Sequence, residues 1–343
     1  MQAQAELISL PQTLTEMFTR GRADRERAVR GIRWGDGPIH VVADARAVSA
    51  GMVARYAIED LLHRPAIVAE ASSFLGYSLA TLRTGSPVVA VSSEGEAAEL
   101  LEAVRAARAK GAQVLAVARA PSLIAEVAHQ VFLLPDVAGT PAEGVAAACL
   151  QHAGAAFMAL IAARQLARPT PALERLEADW ADLPVALDKI VSQFANAVGS
   201  LARELGALKK VLFAGEGLHF AAALRAADAG GHRKEHLALA LDFSRLRSGW
   251  LDAFGPDSGA LLLTGSRSRF RKEAGKLAHE LQKRSASVFA VTDANDHELG
   301  SQARLTLLLP DMADLPGSIL ALALAGWTAR EVARPRRASS SNA

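Results

Sequence analysis

PVVAVSSEGEAAELLEAVRAARAKGAQVLAVA, residues Pro87 to Ala118, decides how the rest of the chain is read. Val88 to Val91 is an unbroken apolar run, the pattern of a strand buried on both faces. A small-polar turn follows, Ser92-Ser93-Glu94-Gly95-Glu96, and then an Ala/Leu/Glu/Arg stretch of helical composition. Lys110-Gly111 closes the helix, and Val114 to Val117 is a second apolar strand. Strand, turn, helix and strand in that order form the unit of a parallel sheet with crossover helices. The turn lies where a strand ends and a helix begins, so free backbone N–H groups and the helix dipole favour an anion there.

The composition suits such a fold. At 343 residues the chain has room for two domains of ordinary size, each with its own core. Half of the residues are hydrophobic and only 5% are aromatic, as expected of an α/β protein rather than a disordered or secreted one. A formal net charge of +2 gives no whole-chain argument for nucleic acid or a membrane surface as partner. The single cysteine, Cys149, excludes an internal disulfide framework and a multi-cysteine metal site, and cytoplasmic residence is expected. The opening residues MQAQAELISLPQTL have neither a basic start nor an apolar core, so no signal peptide is expected. The most apolar window, Gly144 to Ala163, is mainly alanine and contains Gln151 and His152; it reads as a buried helix, not a membrane span.

The sequence also repeats itself. Val131-Phe-Leu-Leu-Pro-Asp-Val-Ala-Gly-Thr-Pro141 recurs as Thr306-Leu-Leu-Leu-Pro-Asp-Met-Ala-Asp-Leu-Pro316, each ahead of a long Ala/Leu helix. The unit at 88–118 has its counterpart in Leu261 to Thr292, and His40-Val-Val-Ala-Asp-Ala45 parallels Val211-Leu-Phe-Ala-Gly-Glu-Gly217. Three correspondences in one order, at offsets of roughly 172 to 175 residues, mark two copies of one α/β domain. They are placed at 37–167 and 209–333, joined by a helical connector, 168–208, that contains Trp180-Ala-Asp-Leu-Pro184. A leading segment, 1–36, carries a helix from about Thr13 to Arg30, and 334–343 is a basic and then Ser-rich tail.

Several segments carry a family resemblance. They are Gly51-Met-Val-Ala-Arg-Tyr56 with Glu59, Ala69-Glu-Ala-Ser-Ser-Phe74, Gly139 with Gly144-Val145-Ala146, and Val332 with Pro335 and Arg336. Together with the turn at Ser92 they resemble the sugar isomerase (SIS) fold, over nearly the whole chain. More narrowly, they are similar to the tandem-SIS isomerase half of the glutamine–fructose-6-phosphate aminotransferases. That resemblance implies two flavodoxin-like domains, each a parallel five-stranded sheet flanked by helices. It also implies a homodimer with sites near the subunit interface, and no metal or organic cofactor. The implied ligand is a sugar phosphate or related sugar derivative, held at the turns after two strands of the first domain. About 35 residues precede the first domain, so no glutaminase domain and no amide-nitrogen transfer from glutamine are expected of this chain alone.

The family's main phosphate loop, Ser-Gln-Ser-Gly-Glu-Thr, stands here as Ser92-Ser93-Glu94-Gly95-Glu96-Ala97. Glu94 replaces a serine, and a carboxylate about 4 Å from a ligand charge at intermediate dielectric costs about 4 kcal/mol. Each lost hydroxyl donor removes about 0.5–1.5 kcal/mol more. The first loop, Cys-Gly-Thr-Ser in the family, aligns with Asp44-Ala45-Arg46-Ala47, with Ser49 one helical step on. Arg46 either grips a phosphate bidentately or pairs with Glu94 and fills the old site with a salt bridge. The ligand-binding candidates are therefore Arg46, Ser49, Ser92, Ser93, Glu94, Gly95, Glu96, Val145 and Ala147. The family's catalytic positions fall near His232, on Ser248, near Ala229 and Gly231, and near Ser340. Only His232 offers a group with a near-neutral pKa for moving a proton between adjacent carbons, against its plainer reading as a helix-surface histidine.

Other constellations are weaker. His232-Arg-Lys-Glu-His236 fits the H-x-x-E-H pattern of inverted zinc peptidases but lacks a third ligand, so no metal is expected. Ser266, Arg267, Ser268 and Arg269 form a possible second anion site in the second copy of the turn, against a reading as a solvated basic loop. Gly215-Glu-Gly217 is a close-turn signal too short to imply a nucleotide, and Cys149 reads as core. Two functions follow: a sugar or amino-sugar phosphate isomerase or deaminase, or a catalytically silent paralogue that senses a ligand or scaffolds a partner. Arg46 and Glu94 in contact with no room beside them favour the silent protein. An open pocket with Arg46 turned inward favours an anionic ligand.

Overall fold

The apolar runs become two sheets in the computed structural model, which describes residues 2–119, 121–137, 140–141, 143–166, 170–231 and 237–334. The first sheet holds β1 (Ile39–Ala43), β2 (Ala66–Glu70), β3 (Pro87–Val91), β4 (Gln113–Arg119) and β5 (Gln130–Leu134). The second holds β6 (Lys210–Gly215), β7 (Leu237–Asp242), β8 (Ser258–Leu263), β9 (Ser287–Asp293) and β10 (Thr306–Leu309). Their orders are β2-β1-β3-β4-β5 and β7-β6-β8-β9-β10, with every pairing parallel. Both are the flavodoxin-like order, whose switch points lie between β1 and β3 and between β6 and β8. In register, Val41 faces Val89 and Val89 faces Leu115, so β1 and β3 end side by side.

Crossover helices cover the sheets. Val48–Leu62 follows β1 and packs against Val145–Leu166; Leu218–Gly230 follows β6 and packs against Asp314–Val332. These four helices also meet each other, so one continuous apolar core runs through both domains. Contact there is close enough to need glycine: a Cβ on Gly326 would lie 2.9 Å from Val145 Cγ1. Val145–Leu166 is long and apolar enough to cross a membrane, but its most apolar 18-residue window is wholly buried inside the fold.

The leading segment is three helices, Gln2–Ile8, Leu10–Thr19 and Arg22–Arg30, rather than one from Thr13. Pro11 opens the second helix, and Gly21, at φ 72°, separates it from the third. Arg25 ties this segment to the sheet by donating to Leu133 O (2.7 Å) and Met17 O (3.0 Å). The connector is Pro171–Gln193, capped by the Thr170 side chain and running through Pro184, followed by Ala195–Leu205. Gly139, the His232–His236 pattern and the chain from Pro335, Arg336 and Ser340 included, lie outside the described residues.

Candidate functional site

At the switch point of the first sheet, the loop after β1 lies against the turn after β3. The Asp44 carboxylate organises both. It accepts hydrogen bonds from Ser93 N (2.8 Å), Ser92 Oγ (3.0 Å), Ser93 Oγ (3.1 Å), Arg46 N (3.1 Å) and Ala47 N (2.9 Å). Asp44 is only 7% exposed, and Ser92 and Ser93 are buried beside it. Ser92 Oγ in turn accepts from Gly95 N at 2.7 Å, and Gln151 Nε2 donates to Ser93 O at 3.3 Å. Gly95 closes the turn at φ 81°, with no space for a side chain: a Cβ would stand 2.2 Å from that of Ser122.

Glu94 does not enter this cradle, contrary to the sequence expectation. Its carboxylate is half exposed and meets Arg46 Nη1 at 2.9 Å, and Glu143 meets the same nitrogen at 2.7 Å. The carboxylate in the cradle is Asp44, from a loop 48 residues upstream of Ser92. An open cavity of about 570 Å³ lies alongside, lined by Asp44, Arg46, Glu70, Ser93, Glu94, Glu96 and Glu99 among others. Neither criterion set by the sequence is met in full: Arg46 is paired rather than turned to a ligand, but there is room beside the pair.

Ser49, Val145 and Ala147 do not line that cavity. Ser49 is buried and shares a 3.0 Å hydrogen bond with His152 Nε2. Burial, helped by the nearby Arg225 guanidinium, pushes the His152 imidazole down to about 3. Val145 opens its helix, and its N–H donates to Glu6 Oε2 at 3.0 Å; Glu6 is 6% exposed. A carboxylate from the leading segment therefore takes the helix terminus, where an anion is favoured. Ala147 is buried in the core.

The second turn is differently engaged. Ser266 N and Asn295 N both donate to the buried Asp293 carboxylate at the end of β9. Arg267 pairs with Asp311 (2.8 Å) and with Asp179 of the connector (3.2 Å), and Arg269 pairs with Asp60 of the first domain. Ser268 Oγ accepts from Phe270 N, while the Thr264 hydroxyl is buried without a partner. Nearby, Glu216 accepts from Phe243 N at 3.0 Å, and burial, then Asp242, pushes its carboxyl up. Ser248 Oγ donates to Arg245 O, and Ala229 lies one residue before the end of the Leu218–Gly230 helix, with Gly231 as its C-cap. Cys149 is buried, and burial pushes its thiol up. Among the described residues, no group of three or more His, Cys, Asp or Glu is placed to hold a metal.

Residues 38–163, which contain this whole first switch point, match the family model of the SIS domain. Over those residues the chain carries a SIS domain. It is 28% identical over 319 residues to glutamine–fructose-6-phosphate aminotransferase (isomerizing) of Bradyrhizobium diazoefficiens, covering 88% of this chain and 51% of that protein. The chain thus spans about half the length of the curated relatives it matches. Among solved structures, the C-terminal domain of glucosamine-fructose-6-phosphate aminotransferase from Francisella tularensis superposes with a TM-score of 0.84 at 17% identity, over 97% of this chain and 95% of that one. Tagatose-6-phosphate ketose/aldose isomerase from Escherichia coli gives 0.78 at 13% identity, over 96% and 92%. At those identities the likeness is one of fold. Within that SIS domain, the Ser92 hydroxyl and the Ser93 hydroxyl and amide are hydrogen-bonded, with Asp44 as their acceptor. Sequence reasoning passed over Asp44, Glu6 and Asp293; an Asp between a strand and a helix with small residues following was the local signal for the first.

Proposed function

We propose that this SIS protein binds a carbohydrate derivative in the cavity over the Ser92–Glu96 turn and acts on it as an aldose–ketose isomerase or amino-sugar deaminase. The observation that carries the reading is the roomy cavity at the C-terminal end of β1 and β3, where open α/β sheets receive their ligands. The names of the SIS relatives, an isomerizing aminotransferase and a ketose/aldose isomerase, supply the substrate class. Either reaction moves a proton between adjacent carbons, which needs a base beside the sugar. The exposed carboxylates of Glu70, Glu96 and Glu99 on the cavity wall are placed to offer one, and Arg46 offers a cation to a sugar oxygen. We assign the protein to the cytoplasm as a homodimer. A thermal-shift screen against hexoses, amino sugars and their phosphates, repeated with Arg46→Ala, tests the binding. Stabilisation by at least one sugar, followed by turnover of it, is expected; no stabilisation at millimolar concentration by any sugar rejects the reading.

A second reading, a catalytically silent sensor or scaffold, is favoured by the double pairing of Arg46 with Glu94 and Glu143. A sugar that binds without isomerisation or deamination supports it.

A further inference from the structure

The donors of the Ser92–Glu96 turn are not waiting for a ligand. The Ser92 and Ser93 hydroxyls and the Ser93 amide already converge on one buried carboxylate, which also accepts from the Arg46 and Ala47 amides of its own loop. Asp44 is held in place by its own backbone, which donates to Val91 O (3.3 Å) and accepts from Ala47 N (2.9 Å). Swinging its side chain aside would strand Ser92 and Ser93, both buried, without their acceptor. The Val145 amide, at the second place where the first domain would receive an anion, is likewise held by Glu6.

We infer that Asp44 is a specificity-determining residue: its carboxylate occupies the seat of the ligand's phosphate, so the cavity takes a carbohydrate derivative that carries none. The inference rests on the proposed carbohydrate site and narrows its ligand. A phosphate brought to this turn meets the Asp44 carboxylate in place of free donors. Glu94, Glu96 and Glu99 stand around the entrance, and Arg46, the cation at hand, is already shared by two carboxylates. One pair of like charges about 4 Å apart at intermediate dielectric weakens binding about a thousandfold. A neutral or cationic sugar meets no such opposition.

Titration calorimetry with inorganic phosphate tests this apart from any sugar. The wild-type protein is expected to show no binding at millimolar phosphate, whereas Asp44→Ser frees the donors and binds it. Adding Ser93→Ala to Asp44→Ser is expected to weaken that binding roughly tenfold, which assigns it to the turn. Asp44→Ala, which likewise empties the seat and removes the charge, serves in the same role should Asp44→Ser fail to fold. Phosphate binding by the wild type that is lost in Ser93→Ala overturns the inference, as does a folded Asp44 variant that binds none. Failure of every sugar to bind would instead remove the proposed function, a result that the phosphate titration does not depend on.

Discussion

After β3 the chain turns through Ser92-Ser93-Glu94-Gly95; after β8, the equivalent strand of the second sheet, it turns through Gly265-Ser266-Arg267-Ser268. Each turn gives backbone amide hydrogen to a buried aspartate, but the aspartate comes from a different strand: Asp44 follows β1, and Asp293 ends β9. The first turn folds in on its carboxylate beside an open cavity and leaves its ion pairs at the surface. The second sends its arginines outward, Arg267 to Asp179 and Asp311 and Arg269 to Asp60, and so fastens the second domain to the connector and to the first domain. Turns at equivalent places in two sheets of the same strand order thus serve as a pocket wall in one and as a bracket in the other.

The largest expected difference between the turns comes from their glycines. Gly95→Ala puts a Cβ at φ 81° and 2.2 Å from Ser122 Cβ, and should cost about 3 kcal/mol from strain and overpacking together. Gly265 has an ordinary φ, and its Cβ would lie at 3.5 Å, normal contact, from Asp293 Oδ2; Gly265→Ala should cost less than about 1 kcal/mol. Urea unfolding of the two variants checks both, and similar losses would erase the contrast.

Next comes the acid response. His152, behind the first turn, is depressed to about 3 by burial and Arg225, whereas at His219, behind the second, burial is opposed by Asp314 and Asp293. A folded-state pKa below the unfolded value, about 6.5, means stability that is present above pH 6.5 and lost as the pH falls towards 3. The slope from one such group approaches about 1.4 kcal/mol per pH unit. His152→Gln should flatten the acid limb of the stability profile more than His219→Gln does. Equal flattening by the two, read from denaturation midpoints between pH 4 and pH 7, would show that the surroundings of the two histidines do not differ as described.

The smallest effects belong to the ion pairs. Arg267→Ala, which removes two contacts including the one to the mostly buried Asp179, should cost about 1 kcal/mol. Arg46→Ala, among half-exposed partners, should cost less than about 0.5 kcal/mol. Chemical denaturation that ranks them the other way would contradict the bracket.

The architecture was legible because parallel strands buried on both faces announce themselves as apolar runs, and Val88–Val91 and Leu261–Leu263 do so twice. The turn at Ser92 was legible for a similar reason, since turn chemistry is local. What filled it was not. Asp44 reads locally as a residue that caps the start of a helix, and it does accept from Arg46 N and Ala47 N. Its bonds to Ser92 and Ser93 arise only when β1 and β3 are laid side by side. Glu6 reaches Val145 across 139 residues, a contact that no pattern within the leading segment carries. The pairing of Arg46 with Glu94 was anticipated because opposite charges on two facing loops suffice to suggest it; Glu143 as a third member was not.

The most direct test is the affinity of the wild-type protein for an unphosphorylated amino sugar and for its 6-phosphate, glucosamine and glucosamine 6-phosphate, measured under the same conditions. With Asp44 seated among the turn's donors, the phosphate ester should bind at least about tenfold more weakly than the parent sugar. An ester that binds tighter than the parent would mean that the carboxylate yields its place to the ligand, and would contradict the account.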